Sequence, residues 1–132
     1  MEKRWRKRGS ATFNIGYHII WCPKYRRKVL INGIDERLKE LILIKAEELE
    51  VIVENMEVMP DHIHIFVKCQ PQDSPQFLIS QFKGYTSKIL REEFEELKSK
   101  LPTLWTRSYF CESVGHISEE TIKKYIDEQK NK

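Results

Sequence analysis

The sequence is poor in cysteine, lacks any long apolar run and contains no glycine-rich phosphate loop, and each shortage removes a class of protein. Its three cysteines, Cys22, Cys69 and Cys111, are odd in number, far apart and free of any CxxC spacing, which argues against a zinc ribbon, a redox pair or a disulfide framework. They read as reduced residues of a cytosolic protein. No apolar run approaches the length of a bilayer span, and the basic N-terminus leads into a polar strand pattern rather than a secretory core. The expectation is a soluble, cytoplasmic chain without a membrane partner. The absence of a GxxxxGK[ST] motif removes nucleotide-driven chemistry of the P-loop kind. There is no internal repeat or low-complexity segment. The length of 132 residues fits one domain, spanning 1–132, that buries about 65–70% of its unfolded surface.

What is present is a concentrated positive charge. Residues 1–28 carry nine Lys or Arg against one Glu, a balance of +8, whereas the whole chain is only +3, so the remainder sums to −5. Clusters at Lys3, Arg4, Arg6, Lys7 and Arg8, and again at Lys24, Arg26, Arg27 and Lys28, suit phosphate neutralisation with release of counterions. The alternative for residues 1–10 is a solvated, flexible basic arm.

Periodicity gives the elements. Residues 12–22 alternate, with Phe13, Ile15, Tyr17, Ile19 and Trp21 on one face and Asn14, Gly16, His18, Ile20 and Cys22 on the other. Residues 35–50 place Leu38, Leu41, Ile42, Ala46 and Leu49 at helical spacing. Two strands, 51–59 and 62–69, flank the tight turn Pro60-Asp61 and form a hairpin. A second helix begins at Ser74 or Ser80, with Leu78, Phe82, Tyr85 and Ile89 as its stripe, and a short strand near 108–114 follows Pro102. The resulting order is βαββαβ followed by a helix over 118–130. That is an α+β, ferredoxin-like (RRM-like) sheet with both long helices on one face and the other face open.

In His62-Ile63-His64-Ile65-Phe66-Val67 the period of two sends Ile63, Ile65 and Val67 beneath the helices and both histidines to the open face. Their Cα atoms stand about 6.6 Å apart at a rise of roughly 3.3 Å per residue, so both rings can reach one ion. Two surface histidines on a strand are the plainer explanation. Asp61 stands beside them as a turn residue or as an acceptor that orients one imidazole. His18 and His116 read as ordinary polar residues.

Ser118, Glu119 and Glu120 look like a helix cap and an acidic first turn, and Lys130 suits the far end of the helix dipole. The inward stripe Ile122, Tyr125, Ile126 and Gln129 holds a glutamine where an apolar residue is expected. Either an aromatic packs there with a glutamine at the wet end, or a phenol and an amide oxygen serve together as nucleophile and metal ligand.

Four segments together resemble a known family. They are Tyr17-His18-Ile19-Ile20-Trp21-Cys22-Pro23-Lys24-Tyr25-Arg26-Arg27-Lys28, then Met59-Pro60-Asp61-His62-Ile63-His64, then Phe82-Lys83-Gly84-Tyr85-Thr86-Ser87, and finally Glu120-Thr121-Ile122-Lys123-Lys124-Tyr125-Ile126-Asp127-Glu128-Gln129. In this order and spacing the chain resembles the HUH-type single-tyrosine transposases of small insertion sequences, the IS-two-hundred-like transposases. The resemblance implies a divalent ion, magnesium or manganese, held by His62, His64 and Gln129. It implies that Tyr125 attacks single-stranded DNA and keeps a 5′-phosphotyrosine link, that the substrate is a hairpin at element ends, and that a homodimer exchanges its tyrosine helices. Nominated DNA contacts are Lys24, Arg26, Arg27 and Lys28 after the first strand, and Lys83, Lys88 and Arg91 on the second helix. The rivals are a non-enzymatic single-stranded nucleic-acid-binding module, which would stack bases on exposed aromatics, and a relaxase- or replication-initiator-like HUH nuclease.

Overall fold

The computed structural model describes residues 5–114 together with Glu120 and Asp127. The chain opens with strand β1 (Arg6–Arg8), which turns at Gly9 and pairs antiparallel with β2 (Ala11–Phe13). Gly9 has φ +58°, a backbone region that costs glycine nothing, and this closes the turn. Within the segment 1–10, expected as a basic arm, Arg6–Arg8 are thus part of a two-stranded sheet. Arg6 donates to the Cys69 carbonyl, and Arg8 bonds the Glu50 carboxylate and the Gln70 side chain, so these two arginines are tied to the body of the protein.

The single strand expected over 12–22 is interrupted at Asn14 and resumes as β3 (Ile15–Trp21). After it come α1 (Ile34–Leu49), β4 (Ile52–Met59), β5 (His62–Cys69), α2 (Pro75–Glu93), α3 (Glu95–Lys100) and β6 (Phe110–Val114). The four-stranded sheet runs β4-β5-β3-β6 with every neighbouring pair antiparallel. The fold is therefore mixed α+β, a sheet with flanking helices.

Local chemistry explains the boundaries. Ser74 caps α2 by accepting from the Phe77 N–H at 3.1 Å, and Pro75 follows at the first helical position, which settles the choice between Ser74 and Ser80. The extended backbone of Phe94 ends that helix, and α3 then starts with Glu95 and Glu96 and finishes with Lys98 and Lys100, charges that oppose the helix dipole at both ends. The sequence pattern carried no signal for α3 beyond these charges, because its one fully buried side chain is Leu97.

The core lies between sheet and helices. Ile19 and Trp21 from β3 and Ile63, Ile65, Val67 and Cys69 from β5 meet Leu38, Leu41 and Ile42 of α1 and Leu78, Phe82 and Leu90 of α2. Each fully buried aliphatic side chain contributes on the order of 1.5–3 kcal/mol, and this interleaving is what holds the helices to one face. Burial pushes the Cys69 thiol up to about 11, so it packs as a small apolar group rather than reacting as a thiolate. None of the three cysteines is paired. Arg37 of α1 grips the Glu93 carboxylate of α2 with two N–H groups, at 2.8 and 3.0 Å, and holds that carboxyl below its ordinary range. No helix among the described residues is long and apolar enough to cross a membrane.

The segment 101–106 closes the far side of the core. Trp105 stands edge-on to Trp21 at 5.9 Å and donates its indole N–H to Thr86 Oγ1 at 3.0 Å, while that hydroxyl donates to the Phe82 carbonyl. Thr86 is wholly buried, so replacing its hydroxyl by a methyl strands the indole N–H away from water. Thr86→Val is expected to lower unfolding stability by about 1–3 kcal/mol in urea titration, with Thr86→Ser much closer to the parent. A Thr86→Val variant as stable as the parent would show that the bond is dispensable.

Candidate functional site

β5 alternates strictly between half-buried and buried positions along its length, as a strand with one covered face must. Its register with β3 sets Ile20 opposite His64 and His18 opposite Phe66, and directly paired residues share a face. His62, His64 and Phe66 therefore stand with Gly16, His18 and Ile20 on the face away from the helices. From β4, Glu57 and Met59 lie opposite His64 and His62, and from β6, Phe110 and Glu112 lie opposite Ile20 and His18.

The two expected histidines are brought to one surface. His62 Nδ1 lies 2.9 Å from Asp61 Oδ1, while the other oxygen of Asp61 accepts from Arg26 at 3.0 Å. The imidazole N–H, and after it the Arg26 guanidinium, hold the Asp61 carboxyl below its ordinary value. With Nδ1 engaged, Nε2 is the nitrogen that His62 keeps for a ligand. Asp61 thus orients His62 rather than acting only as a turn residue.

His64 has a partner that the alternation pattern did not single out. His18 Nδ1 lies 2.9 Å from His64 Nε2, with the ring centroids 5.0 Å apart. His18 also stacks on Phe66, at 4.8 Å between centroids and 23° between planes. His18, read from the sequence as an ordinary polar residue, thus meets both His64 and Phe66 on the open face. The signal was available in part, since alternation put His18 on the open face, but the β3–β5 register that joins it to His64 needed the fold.

The nominated basic residues separate into two groups. Arg26, Arg27 and Lys28 are exposed beside a short helical turn, Lys24–Arg26, in which Tyr25 and Arg26 take positive φ and the Tyr25 ring is 66% exposed. Lys24 lies over the Tyr25 ring. On α2, Lys88 is exposed, whereas Arg91 donates to the Leu101 carbonyl and Lys83 donates to the carbonyls of Thr106, Arg107 and Ser108. Burial lowers the Lys83 pKa. Lys83 is engaged in holding the chain ahead of β6.

Tyr125 and Gln129, the expected nucleophile and third ligand, lie outside the described residues. Among the described residues no group of three or more His, Cys, Asp or Glu is placed to hold a metal ion. The pair His62 and His64, with one ring nitrogen of His62 held by Asp61, suits an ion whose remaining ligands come from elsewhere. Phe110, 52% exposed, is an aromatic of the open face that the sequence reading did not assign there.

The family model described as Transposase IS200 like matches residues 11–129. The chain belongs to this family of HUH-type, single-tyrosine transposases. It is 33% identical over 129 residues to the ISDra2 transposase TnpA of Deinococcus radiodurans, covering 96% of this chain and 92% of that protein. It is 29% identical over 123 residues to the transposase for insertion sequence element IS200 of Salmonella typhimurium, covering 89% and 81%. A crystal structure of a Deinococcus radiodurans R1 protein described as a transposase superposes with a TM-score of 0.78 at 28% identity, covering 94% of this chain and 97% of the other. A REP-associated tyrosine transposase bound to a REP hairpin shares the fold, with a TM-score of 0.59 at 12% identity over 92% of this chain and 68% of that one.

As a transposase fold, this one has a seat for Phe66 that only glycine provides. A Cβ at position 16 would stand 2.7 Å from Phe66 Cε1, closer than packed carbons allow. Gly16→Ala is expected to displace the Phe66 ring and lower stability by about 1–3 kcal/mol. Phe66→Leu in the same chain should recover most of that loss in urea unfolding, and additive losses would mean that the two positions do not meet.

Proposed function

We propose that this transposase cleaves and rejoins single-stranded DNA at insertion-sequence ends, with Tyr125 as nucleophile and a divalent ion, magnesium or manganese, held by His62, His64 and Gln129. The observation that supports it most is the pair His62 and His64 on the open sheet face, with His62 oriented by Asp61. In this reading the site lies on the open face of a ferredoxin-like sheet, within one domain spanning 1–132, and residues 118–130 form the helix that carries tyrosine and glutamine.

The chemistry follows from the donor set. A phenol with a pKa near 10 is a weak nucleophile at neutral pH, and the phosphodiester it attacks is anionic. When bound, the ion supplies a Lewis acid and a template that offset the phosphate charge. The Tyr125 oxygen bonds to phosphorus, the bond from phosphorus to the 3′-oxygen breaks, and a free 3′-hydroxyl leaves while the 5′-phosphate stays on tyrosine. A 3′-hydroxyl of another strand reverses these steps and releases Tyr125. The linkage is conserved in number and type, so no nucleotide is consumed.

Arg26, Arg27, Lys28 and Lys88 are exposed cations suited to phosphate contact, with Lys24 beside them, and they give binding a strong salt dependence. Lys83 and Arg91 belong to this set only where DNA competes with their carbonyl partners. The REP-associated relative bound to a REP hairpin supports a hairpin as the substrate shape. A homodimer that exchanges tyrosine helices would bring each Tyr125 to the partner's histidines. A second reading, a single-strand-binding face without catalysis, draws on Phe110 and Phe66 as exposed and half-buried aromatics of that face.

Incubation with single-stranded hairpin DNA and magnesium or manganese, followed by denaturing gels, is expected to yield a covalent adduct. Tyr125→Phe should slow adduct formation by about a thousandfold or more while leaving hairpin binding intact. An adduct that persists in Tyr125→Phe removes Tyr125 from the role, and binding without any adduct in the parent favours the second reading. Mixing His64→Ala chains with Tyr125→Phe chains separates exchange from self-sufficiency. Exchange predicts activity in the mixture when neither variant is active alone, and a verified heterodimer without activity would count against it.

A further inference from the structure

The imidazoles of His62 and His64 have different surroundings. His62 is oriented by a carboxylate, through Nδ1. His64 has an imidazole on its Nε2: His18, from the adjacent strand β3, with its Nδ1 at 2.9 Å. Phe66 stacks against His18 at 4.8 Å, and Phe66 itself sits over Gly16, where no side chain could stand. Gly16, Phe66, His18 and His64 thus form a chain of contacts running across two strands of the open face.

We propose that His18 is a positioning residue of the ion site, acting through His64. The contact between the two rings requires one nitrogen to donate and the other to accept. If His18 donated, it would occupy the lone pair of His64 Nε2, and the proton of His64 would sit on Nδ1, leaving His64 no free lone pair. If His64 Nε2–H donates to His18 Nδ1, the Nδ1 of His64 keeps an open lone pair. Only the second arrangement makes His64 a ligand without breaking the contact. His18 then does for His64 what Asp61 does for His62: it takes up one nitrogen, fixes the ring plane and leaves the other nitrogen for the ion. Stacking on Phe66 fixes the plane of His18 in turn.

This inference rests on the reading that His62 and His64 hold an ion, and its test keeps the two apart. The full-length chain is stripped with chelator and titrated with Mn2+, with free Mn2+ read by electron paramagnetic resonance, for the parent and for His62→Ala, His18→Ala and His18→Asn. The side-chain oxygen of asparagine stands near the place of Nδ1 and can accept the same N–H. Folding of each variant is checked by circular dichroism and thermal melting. The expected result is an affinity loss of about 10- to 100-fold in His18→Ala, with most of it restored in His18→Asn.

Equal affinity in His18→Ala, or tighter binding, overturns the role of His18 while a loss in His62→Ala keeps the ion site. Failure of His18→Asn to restore binding means that the ring itself, not the bond it accepts, is required, and this also overturns the proposal. Binding that is indifferent to His62→Ala removes the site and the proposal together. A second measurement needs no metal and applies even where a variant folds poorly. Two-bond proton–nitrogen correlation spectra of 15N-histidine-labelled parent protein report which ring nitrogen of His64 carries the proton, with His64→Gln assigning the signal. A proton on Nε2 is expected, and a proton on Nδ1 would overturn the proposal.

Discussion

The register between Ile15–Trp21 and His62–Cys69 is the constraint on which the rest of the structure depends. It sets Ile19 against Ile65 and Trp21 against Ile63 on the covered face, and on the other face brings Ile20 to His64 and His18 to Phe66. A shift of one residue would exchange the faces, sending isoleucines into water and imidazoles under the helices. The core therefore enforces the geometry of the open face: Ile19, Ile63, Ile65 and Val67 are fully buried, and their packing leaves the strands no alternative pairing of comparable stability. Side chains that take no part in any chemistry decide where the histidines stand.

That same division explains what was legible in the sequence. The alternation around His62 and His64 marked both the strand and its exposed face, because a period of two needs only a few residues to declare itself. Apolar spacing revealed α1 and α2, but it left the start of α2 open between Ser74 and Ser80 until the Ser74 cap and Pro75 were seen in the fold. The interruption at Asn14, the pairing of Arg6–Arg8 with Ala11–Phe13 and the short helix Glu95–Lys100 were not legible, since each depends on distant contacts or on a weak pattern. Arg6 and Arg8 read as free charges because nothing local reveals that Cys69, Glu50 and Gln70 will lie beside them.

Within the site, the division is between single residues and pairs. His62 and Asp61 are neighbours in sequence, so their contact could be suggested from the dipeptide. His18 and His64 are separated by 46 positions and meet only through strand pairing. Alternation also could not place Phe110, whose face depends on how β6 registers against β3. The family was legible for a different reason: it was carried by four motifs taken together, in order along the chain, and the family model matches residues 11–129.

Lys83 illustrates how a charge counted in the sequence can serve a different end in the fold. Its ammonium collects three successive carbonyls, those of Thr106, Arg107 and Ser108, just ahead of the edge strand Phe110–Val114. An amine with three donors is one of few side chains able to gather three backbone acceptors at once. The approach to the edge strand is therefore pinned to the middle of α2 by a cation, much as a bracket fixes the base of a lever. Among the described residues that strand is the last of the sheet, so the cation fixes the approach to the point where the described chain gives way to the segment containing Tyr125.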